Sequence, residues 1–441
     1  MSGQLPVVAI VGRPNVGKST LFNRIIRRRE AIVDPTPGVT RDRHYAHAEW
    51  AGHEFILVDT GGYIPKSLDD SFAAAVSEQT LVAAEEADVV IFLADARSGS
   101  TEIEAELAKI ILKSGVPTIY ATNKIDDPSH MASAWEMPTY GLGDPQPLSA
   151  LNGYQIGELL EEVVARLPEQ VEVSKSDEET AISVAIIGAP NSGKSSLANK
   201  LIGSDRMVVS EIAGTTRDAI DTMLEYEGQT IRLIDTAGLK RKRFGEKGIQ
   251  FYSTLRSLRA IAQAQVAIVM LDASLGYTQG DLRLIEQAAE SRAGVILAVN
   301  KWDLLETDPK SGDRWLDEWQ RFAPSLRWVP VLFISALSGR RVHKVLDEAI
   351  KVAAERDKRI STSELNDKLA VQLIRTPPPA VKGKNIHIKY IAQLASSPPL
   401  IGVFCSHSGY VKEAYKRFVE KKIRESFGFQ GVPVKVLFKD K

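Results

Sequence analysis

Two short strings, GRPNVGKS from Gly12 and GAPNSGKS from Gly188, have the glycines, lysine and serine of a phosphate-binding loop at the required spacing. Each string follows an apolar run and opens a helical pattern, which is the context that such a loop needs. Backbone N–H groups would surround the phosphates, the lysine would bridge the β- and γ-phosphates, and the serine would bind Mg²⁺. The candidate residues are Gly12, Arg13, Pro14, Asn15, Val16, Gly17, Lys18 and Ser19, with Gly188, Ala189, Pro190, Asn191, Ser192, Gly193, Lys194 and Ser195 in the second string.

A second recurring string, DTGG from Asp59 and DTAG from Asp235, ends the next apolar run in each half of the chain. An aspartate in this place can hold Mg²⁺ through water, so we expect the string to face the phosphates. The candidates here are Asp59, Thr60, Gly61, Gly62, Tyr63, Asp235, Thr236, Ala237, Gly238 and Leu239.

One threonine precedes this string in each half, in a segment without clear periodicity. Thr40 and Thr216 are placed to reach Mg²⁺ while a γ-phosphate is present and to release it afterwards. Thr215 is adjacent in the second half, but the repeat offset selects Thr216. Residues 30–42 and 206–218 are therefore the predicted first switch segments. The predicted Mg²⁺ ligands are Ser19, Thr40, Asp59, Ser195, Thr216 and Asp235.

The string N-K-x-D, at Asn123 and again at Asn300, predicts which base is bound. Its aspartate can accept hydrogen bonds from N1–H and the exocyclic amine of guanine, and adenine would leave this carboxylate unpaired. Ala150 and Ala336 lie in S-A-L triplets and can offer a backbone N–H to guanine O6. The candidates are Asn123, Lys124, Ile125, Asp126, Ala150, Asn300, Lys301, Trp302, Asp303 and Ala336. The chemistry predicted is GTP and GDP binding at two sites.

An internal repeat shows which elements must position these residues. The first two strings recur at an offset of 176 residues, which indicates a duplicated domain. In each copy, apolar runs of strand length alternate with helical stretches, which predicts a mostly parallel, doubly wound α/β sheet. Ligands bind at the carboxyl ends of such strands, where every string lies.

The predicted domains are a first nucleotide-binding domain at 1–168, an acidic linker at 169–180, a second nucleotide-binding domain at 181–356 and a small domain at 357–441. The linker is polar and has no apolar pattern.

Composition agrees with about three domains in 441 residues, 44% of them hydrophobic and 25% charged. The single cysteine, Cys405, excludes an intrachain disulfide. The first apolar run is too short to span a membrane, and the N-terminus lacks the basic n-region and cleavage site of a signal peptide. We expect a cytoplasmic monomer that does not contact a membrane.

The small domain is basic. From Ser361 onward it has 14 Lys and Arg against 6 Asp and Glu, while the preceding residues have 41 against 50. This imbalance favours a polyanionic partner over a merely solvated surface. Its pattern predicts the order α-β-β-α-β, with helices near 362–373 and 409–427 and strands near 385–394, 400–405 and 432–438. Along the second helix the predicted buried stripe is Val411, Ala414, Tyr415, Phe418, Val419, Ile423 and Phe427, and the residues predicted to lie outside it are Lys412, Lys416, Lys421 and Arg424.

Together, the tandem motifs resemble the Der (EngA) family, bacterial GTPases with two G domains that act in ribosome assembly. The resemblance covers nearly the whole chain. It implies hydrolysis of GTP to GDP and phosphate, association with the large ribosomal subunit and its RNA, and a KH-like fold for the small domain. A KH domain normally binds RNA through a G-x-x-G loop between helices. Here Gly428-Phe-Gln-Gly431 lies between a helix and the last strand, so we interpret it as a coincidence.

Many GTPases have a glutamine after D-x-x-G that orients the attacking water, but here the residues are Tyr63 and Leu239. In the family that the chain resembles, the asparagine in the middle of the phosphate-binding loop coordinates K⁺. The resemblance therefore implies K⁺ at Asn15 and Asn191 and potassium-stimulated hydrolysis. The alternative is that both asparagines only stabilise the turn of the loop.

Four basic residues directly follow the second DTAG string: Lys240, Arg241, Lys242 and Arg243. Because they adjoin a segment that senses the γ-phosphate, the nucleotide could control their contact with RNA. With Lys412 and Lys416 they are the predicted contacts to RNA or the ribosome.

Two alternatives stay open. GTPases of tRNA modification share the loop asparagine but need a dedicated N-terminal domain, whereas the first loop here starts at Gly12. A nucleotide-gated scaffold that scarcely hydrolyses GTP is compatible with the missing glutamines.

Overall fold

A computed structural model describes residues 6–28, 45–60, 80–81, 83–84, 87–127, 131–168, 181–204, 208–213, 220–234, 257–305, 308–381 and 383–440. The described residues divide into two compact units, 6–168 and 181–440. The predicted linker 169–180 lies outside the described residues. Within these ranges no helix has the length and apolar character needed to span a membrane.

The apolar runs of the first unit form a six-stranded sheet with the order β2-β3-β1-β4-β5-β6. The strands are β1 (Val7–Val11), β2 (Tyr45–Trp50), β3 (His53–Asp59), β4 (Val89–Asp95), β5 (Thr118–Asn123) and β6 (Gln146–Pro147). Neighbours pair in parallel, except that β2 runs antiparallel to β3 at one edge. Strands β1 and β4 are buried along their whole length, as expected for strands covered on both faces.

The described part of the first unit contains the helices α1 (Lys18–Arg28), α2 (Glu102–Ser114), α3 (Met131–Trp135) and α4 (Ile156–Arg166). Helix α2 begins at a capping box in which Thr101 and Glu104 satisfy each other's backbone N–H groups, and it ends at Gly115 in the left-handed conformation. Apolar residues of α1 and α4 pack with β1 and β4 in one core. This packing fixes the helix that follows the first phosphate-binding loop.

The second unit contains a seven-stranded sheet with the order β13-β12-β11-β7-β10-β9-β8. Its strands are β7 (Ile182–Gly188), β8 (Val208–Ala213), β9 (Ile220–Tyr226), β10 (Gln229–Ile234), β11 (Val266–Asp272), β12 (Gly294–Asn300) and β13 (Val331–Phe333). From β13 to β10 all pairs are parallel, and β9 and β8 extend the sheet as an antiparallel edge. The predicted α/β fold with mostly parallel sheets is thus confirmed in both copies.

The helices of this copy are α5 (Lys194–Ile202), α6 (Gln279–Glu290), α7 (Ser311–Phe322) and α8 (His343–Asp357). Part of the predicted switch segment 206–218 is regular, because residues 208–213 form strand β8, which pairs with β9. The remainder of that segment, and all of 30–42, lies outside the described residues.

The last part of the chain has the predicted α-β-β-α-β order. Its elements are α9 (Thr362–Leu365), a π-helical turn (Asn366–Ala370), α10 (Val371–Arg375), β14 (Ile388–Ala395), β15 (Leu400–Cys405), α11 (Glu413–Phe427) and β16 (Lys435–Asp440). In the three-stranded sheet, β15 pairs antiparallel with β14 and parallel with β16.

Two predictions for α11 are wrong. Ala414 is exposed rather than buried. Arg424 does not face solvent, because its guanidinium donates to the carbonyl oxygens of Phe429 (2.7 Å) and Val432 (2.9 Å) and stacks over Trp328. Helical periodicity alone could not show that this arginine donates hydrogen bonds to the loop that follows its own helix.

One hydrophobic core extends from the seven-stranded sheet into the C-terminal elements through α8. The Gly428–Gly431 loop lies at this junction, where Phe429 is fully buried. The N–H of Val295, in β12, donates to the carbonyl of Gly431 (2.6 Å), and the N–H of Gly431 donates to the carbonyl of Trp328 (2.7 Å). The loop therefore holds the C-terminal elements against the second sheet. A boundary at residue 356 stays a prediction.

Candidate nucleotide-binding sites

The lysine of each phosphate-binding loop donates hydrogen bonds to carbonyl oxygens of that loop. Lys18 Nζ donates to the carbonyl oxygens of Gly12 (2.7 Å) and Arg13 (2.8 Å), and Lys194 Nζ bonds the same two positions of its loop at 2.9 and 2.8 Å. Burial lowers the pKa of both ammonium groups to about 8, and at Lys18 the nearby Asp59 opposes this shift. Both lysines are thus held against the carbonyl oxygens of their own loops.

The asparagine of N-K-x-D touches the phosphate-binding loop in each copy. Asn123 Nδ2 donates to the carbonyl of Val16 (2.8 Å), and Asn300 Nδ2 donates to that of Ser192 (2.9 Å). The loop glycine at this contact, Gly17 in the first copy, has a φ of +100°, and a Cβ there would overlap the asparagine amide. Strings that lie more than 100 residues apart in sequence therefore form one site.

The amides of the two predicted alanines form hydrogen bonds within the protein. The backbone N–H of Ala150 donates to Asn123 Oδ1 (2.9 Å), and that of Ala336 donates to Asn300 Oδ1 (2.8 Å). These amides support the asparagine instead of standing free for guanine O6. The alanines fix the base-reading loop, and their contact with the base stays a prediction.

The lysine of N-K-x-D is anchored by an aspartate that the motif search missed. Lys124 Nζ lies 2.6 Å from Asp95 Oδ2, and Lys301 Nζ lies 2.5 Å from Asp272 Oδ2. Burial raises the pKa of each carboxyl, but hydrogen bonds from the lysine, a backbone N–H and a serine, together with the charge of the lysine, outweigh burial and hold the pKa below its usual range. Both lysines have positive φ, 74° and 61°. The separation of 29 residues recurs in both copies, so the repeat contained the signal for this pair.

The base-reading aspartates have unlike surroundings. Asp126 accepts hydrogen bonds from Ser149 Oγ at Oδ1 and from Arg97 at Oδ2 (2.8 Å). Asp303 is exposed in a short 3₁₀ turn, Trp302–Leu304. Sequence reasoning also missed Arg97, because the second copy has no arginine at that position.

The residues between the asparagine and the aspartate pack differently as well. Ile125 is buried in the first copy. In the second copy Trp302 is half-buried and packs on Phe333, with ring centroids 4.2 Å apart.

Two of the three Mg²⁺ ligands predicted for the first copy, Ser19 and Asp59, lie together, and the third, Thr40, lies outside the described residues. Ser19 Oγ donates to Asp59 Oδ2 (2.5 Å), and Asp59 is fully buried at the end of β3. Thr60 follows it and donates to the carbonyl of Ile10 (2.8 Å). A hydroxyl and a carboxylate are oxygen ligands that suit Mg²⁺ completed by waters and phosphate. The described residues contain no group of three or more His, Cys, Asp and Glu side chains that could hold a metal ion.

Asn15 and Asn191 have φ values of 65° and 64° and exposed side chains. Asparagine tolerates this left-handed conformation, which accounts for the residue type on structural grounds alone. Across the residues that the structure describes, neither side-chain amide forms a hydrogen bond. Both amides are therefore available to a ligand.

Several predicted site residues lie outside the described residues: Thr40, Gly61, Gly62, Tyr63, Thr216, Asp235, Thr236, Ala237, Gly238, Leu239, Lys240, Arg241, Lys242 and Arg243. Ser195 lies in the first turn of α5, as predicted. Of the two lysines predicted on α11, Lys412 is exposed, whereas Lys416 is partly buried and pairs with Glu413 at 2.8 Å.

Family models match most of the chain. The model described as "50S ribosome-binding GTPase" matches residues 7–124 and 183–301. The model described as the C-terminal "KH-domain-like of EngA bacterial GTPase enzymes" matches residues 359–439.

Curated relatives are similar along their full length. "GTPase Der" of Chloroherpeton thalassium is 45% identical and covers 99% of this chain and 100% of its own. "GTPase Der" of Chlorobaculum tepidum is 44% identical and covers 98% of this chain and 99% of its own.

Solved structures are similar to part of the chain. The G domain of the T. maritima FeoB iron transporter is 27% identical over 39% of this chain and 98% of its own, with a TM-score of 0.27. Aquifex aeolicus Era bound to GDP and aluminium fluoride is 20% identical over 59% of this chain and 93% of its own, with a TM-score of 0.31.

Proposed function

Since the chain belongs to the family of the bacterial GTPase Der, we propose that it is a GTP-hydrolysing switch that acts on the large ribosomal subunit during ribosome assembly. The observation that carries this proposal is the duplicated site, in which each asparagine of N-K-x-D bonds its own phosphate-binding loop. The description of the matching family model supports the ribosomal partner.

In this proposal the protein binds GTP with residues that are already in place. Lys18 and Lys194 meet the β- and γ-phosphates, and the backbone N–H groups of the loops complete the phosphate site. Asp126 and Asp303 accept hydrogen bonds from guanine. When Mg²⁺ is bound, it neutralises charge that develops on the phosphates, and in the first site Ser19 and Asp59 would hold it.

Potassium stimulation is a further part of the proposal. Tyr63 and Leu239 stand where other GTPases have the glutamine that orients the attacking water, so the water must be placed by backbone, solvent or an ion. An ion would also supply positive charge where negative charge develops on the phosphates. The exposed amides of Asn15 and Asn191 would hold K⁺ beside the phosphates and supply that charge.

Ribosome contact is proposed for basic residues in two places. The run Lys240–Arg243 follows the γ-phosphate sensor of the second copy, and the chain from Ser361 onward carries an excess of eight positive charges. Lys412, at the N-terminus of α11, is the stronger candidate, because Lys416 is paired with Glu413. We further propose that the protein works as a monomer in the cytoplasm.

Sedimentation with purified ribosomal subunits tests the proposal. The full chain should pellet with the large subunit, and the fraction bound should differ between GDP, GTP and a non-hydrolysable analogue. Equal pelleting in all three, or none with either subunit, would contradict a nucleotide-controlled ribosomal role.

The missing glutamines also favour a second candidate, a nucleotide-gated RNA-binding scaffold that scarcely hydrolyses GTP. Single-turnover hydrolysis by the full chain separates the two. A rate no higher than that of GTP alone would support the scaffold.

A further inference from the structure

The two base-reading carboxylates differ in how they are held. In the first site, Arg97 donates to Asp126 Oδ2 (2.8 Å), and Ser149 holds the other oxygen. In the second site the position of Arg97 is taken by Ser274, whose hydroxyl bonds Asp272 (2.6 Å). Within the described ranges, Asp303 has no hydrogen bond or ion pair. Only the first aspartate is oriented by its neighbours.

Arg97 leaves room for guanine on Asp126. A carboxylate has about four lone-pair directions, two on each oxygen. Ser149 uses one on Oδ1 and Arg97 uses one on Oδ2, so each oxygen keeps one for a donor of the base. The Asp126 side chain is 20% exposed, which leaves it open to a ligand. A carboxylate fixed in this way loses less side-chain entropy when the base binds.

Two further arginines link parts of the first site by hydrogen bonds, and the second copy has other residues at both positions. Arg13 pairs with the fully buried Glu104 (2.9 Å) and bonds Ser98, which ties the phosphate-binding loop to the start of α2. Arg24 of α1 donates to the carbonyl oxygens of Ala150 (3.0 Å) and Leu151. The corresponding residues of the second copy are Ala189 and the exposed Lys200.

We propose that Arg97 is a positioning residue that holds Asp126 for the two guanine donors. Together with Arg13 and Arg24 it makes the first site more selective for guanine, and slower to release GDP, than the second. This inference rests on the proposed base-reading role of the two aspartates. The second site would then be the one that exchanges its nucleotide readily.

The test isolates the first site within the full chain. In an Asp303→Asn background, saturating xanthosine diphosphate occupies the second site, and GDP or inosine diphosphate (IDP) is titrated into the first. Arg97→Ser, which installs the residue type of the second copy, should weaken GDP binding about tenfold, as expected for loss of a charged hydrogen bond. IDP lacks the exocyclic amine, so its binding should weaken less and the preference for GDP should fall.

Two control variants separate positioning from general damage. Arg97→Lys keeps the charge and should restore part of the preference for GDP over IDP. Arg166→Ser removes an exposed ion pair with Glu162 on α4 and should leave both affinities unchanged. A loss of the preference with Arg166→Ser as well would mean that the measurement reports stability, and the inference would fail.

The reciprocal change tests the asymmetry. In an Asp126→Asn background with xanthosine diphosphate on the first site, Ser274→Arg should slow GDP release from the second site several-fold. Tighter GDP binding by Arg97→Ser would mean that Arg97 competes with the base, and it would overturn the inference. An unchanged ratio of GDP to IDP affinity in this variant would also overturn it. Failure of both Asp→Asn backgrounds to bind xanthosine diphosphate would instead remove the base-reading assignment, and this inference with it.

Discussion

Raising the pH from 7.0 to 8.5 should weaken GDP binding at both sites because of the loop lysines. Burial lowers the pKa of Lys18 and Lys194 to about 8. A phosphate beside the ammonium stabilises its charged form, so the pKa of the complex must be higher. Below pH 8 the lysine is already charged when GDP arrives. Above pH 8 the binding reaction must take up a proton.

The size of the effect follows from that pKa. The protonated fraction of each lysine falls from about nine-tenths at pH 7.0 to about one quarter at pH 8.5, so affinity should drop about fourfold. Proton uptake on binding should rise from about a tenth to about three quarters of a proton per site over this range.

Isothermal titration calorimetry of the full chain with GDP, in two buffers of different ionisation enthalpy, measures both quantities. Lys412→Met, which removes an exposed lysine just before α11, should not change them. Constant affinity together with no proton uptake would refute the reasoning, since it would mean that neither buried ammonium changes its protonation on meeting the phosphates.

Three further predictions concern hydrolysis, stability and ribosome binding. GTP hydrolysis should be faster in potassium than in sodium, and the difference should vanish when Asn15 and Asn191 are both replaced by Ala. Equal rates of the unaltered chain in the two salts would remove K⁺ from the mechanism. Phe429→Ala should lower the unfolding free energy of the second unit by about 3–5 kcal/mol, because the ring is fully buried at the junction with α8. Denaturant titrations measure this loss, and Gln430→Ala, which changes an exposed side chain, should have little effect. Neutralising Lys240–Arg243 should weaken binding to the large subunit more with GTP than with GDP in sedimentation assays. It should also make this binding less dependent on salt concentration, and an unchanged salt dependence would place the contact elsewhere.

Most of the fold could be predicted from the sequence because its patterns are strong and repeated. Apolar runs that end in Asp59 and Asn123 of the first unit, or in Asn300 of the second, are strands of parallel sheets, and within each sheet the carboxyl ends of parallel strands lie at the same edge. The matches to family models and the similarity to Der confirm the predicted family and fold.

Contacts that depend on side-chain reach could not be predicted in the same way. Arg97 reaches Asp126 across 29 residues of sequence, and no periodicity links the two. The burial of Arg424 is set by carbonyl oxygens of the following loop and by Trp328, which belongs to a different part of the unit. The hydrogen bond from the Ala150 amide to Asn123 Oδ1 could not be predicted either, because a motif does not show which acceptor an N–H will meet.

Counting nucleotides bound per chain tests most directly that the repeated geometry makes two independent guanine sites. Equilibrium dialysis of the full chain with labelled GDP and xanthosine diphosphate should give two GDP per chain. Asp126→Asn or Asp303→Asn alone should give one GDP and one xanthosine diphosphate, and the double variant should bind two xanthosine diphosphates. A single GDP on the unaltered chain, or two GDP on either variant, would contradict this account.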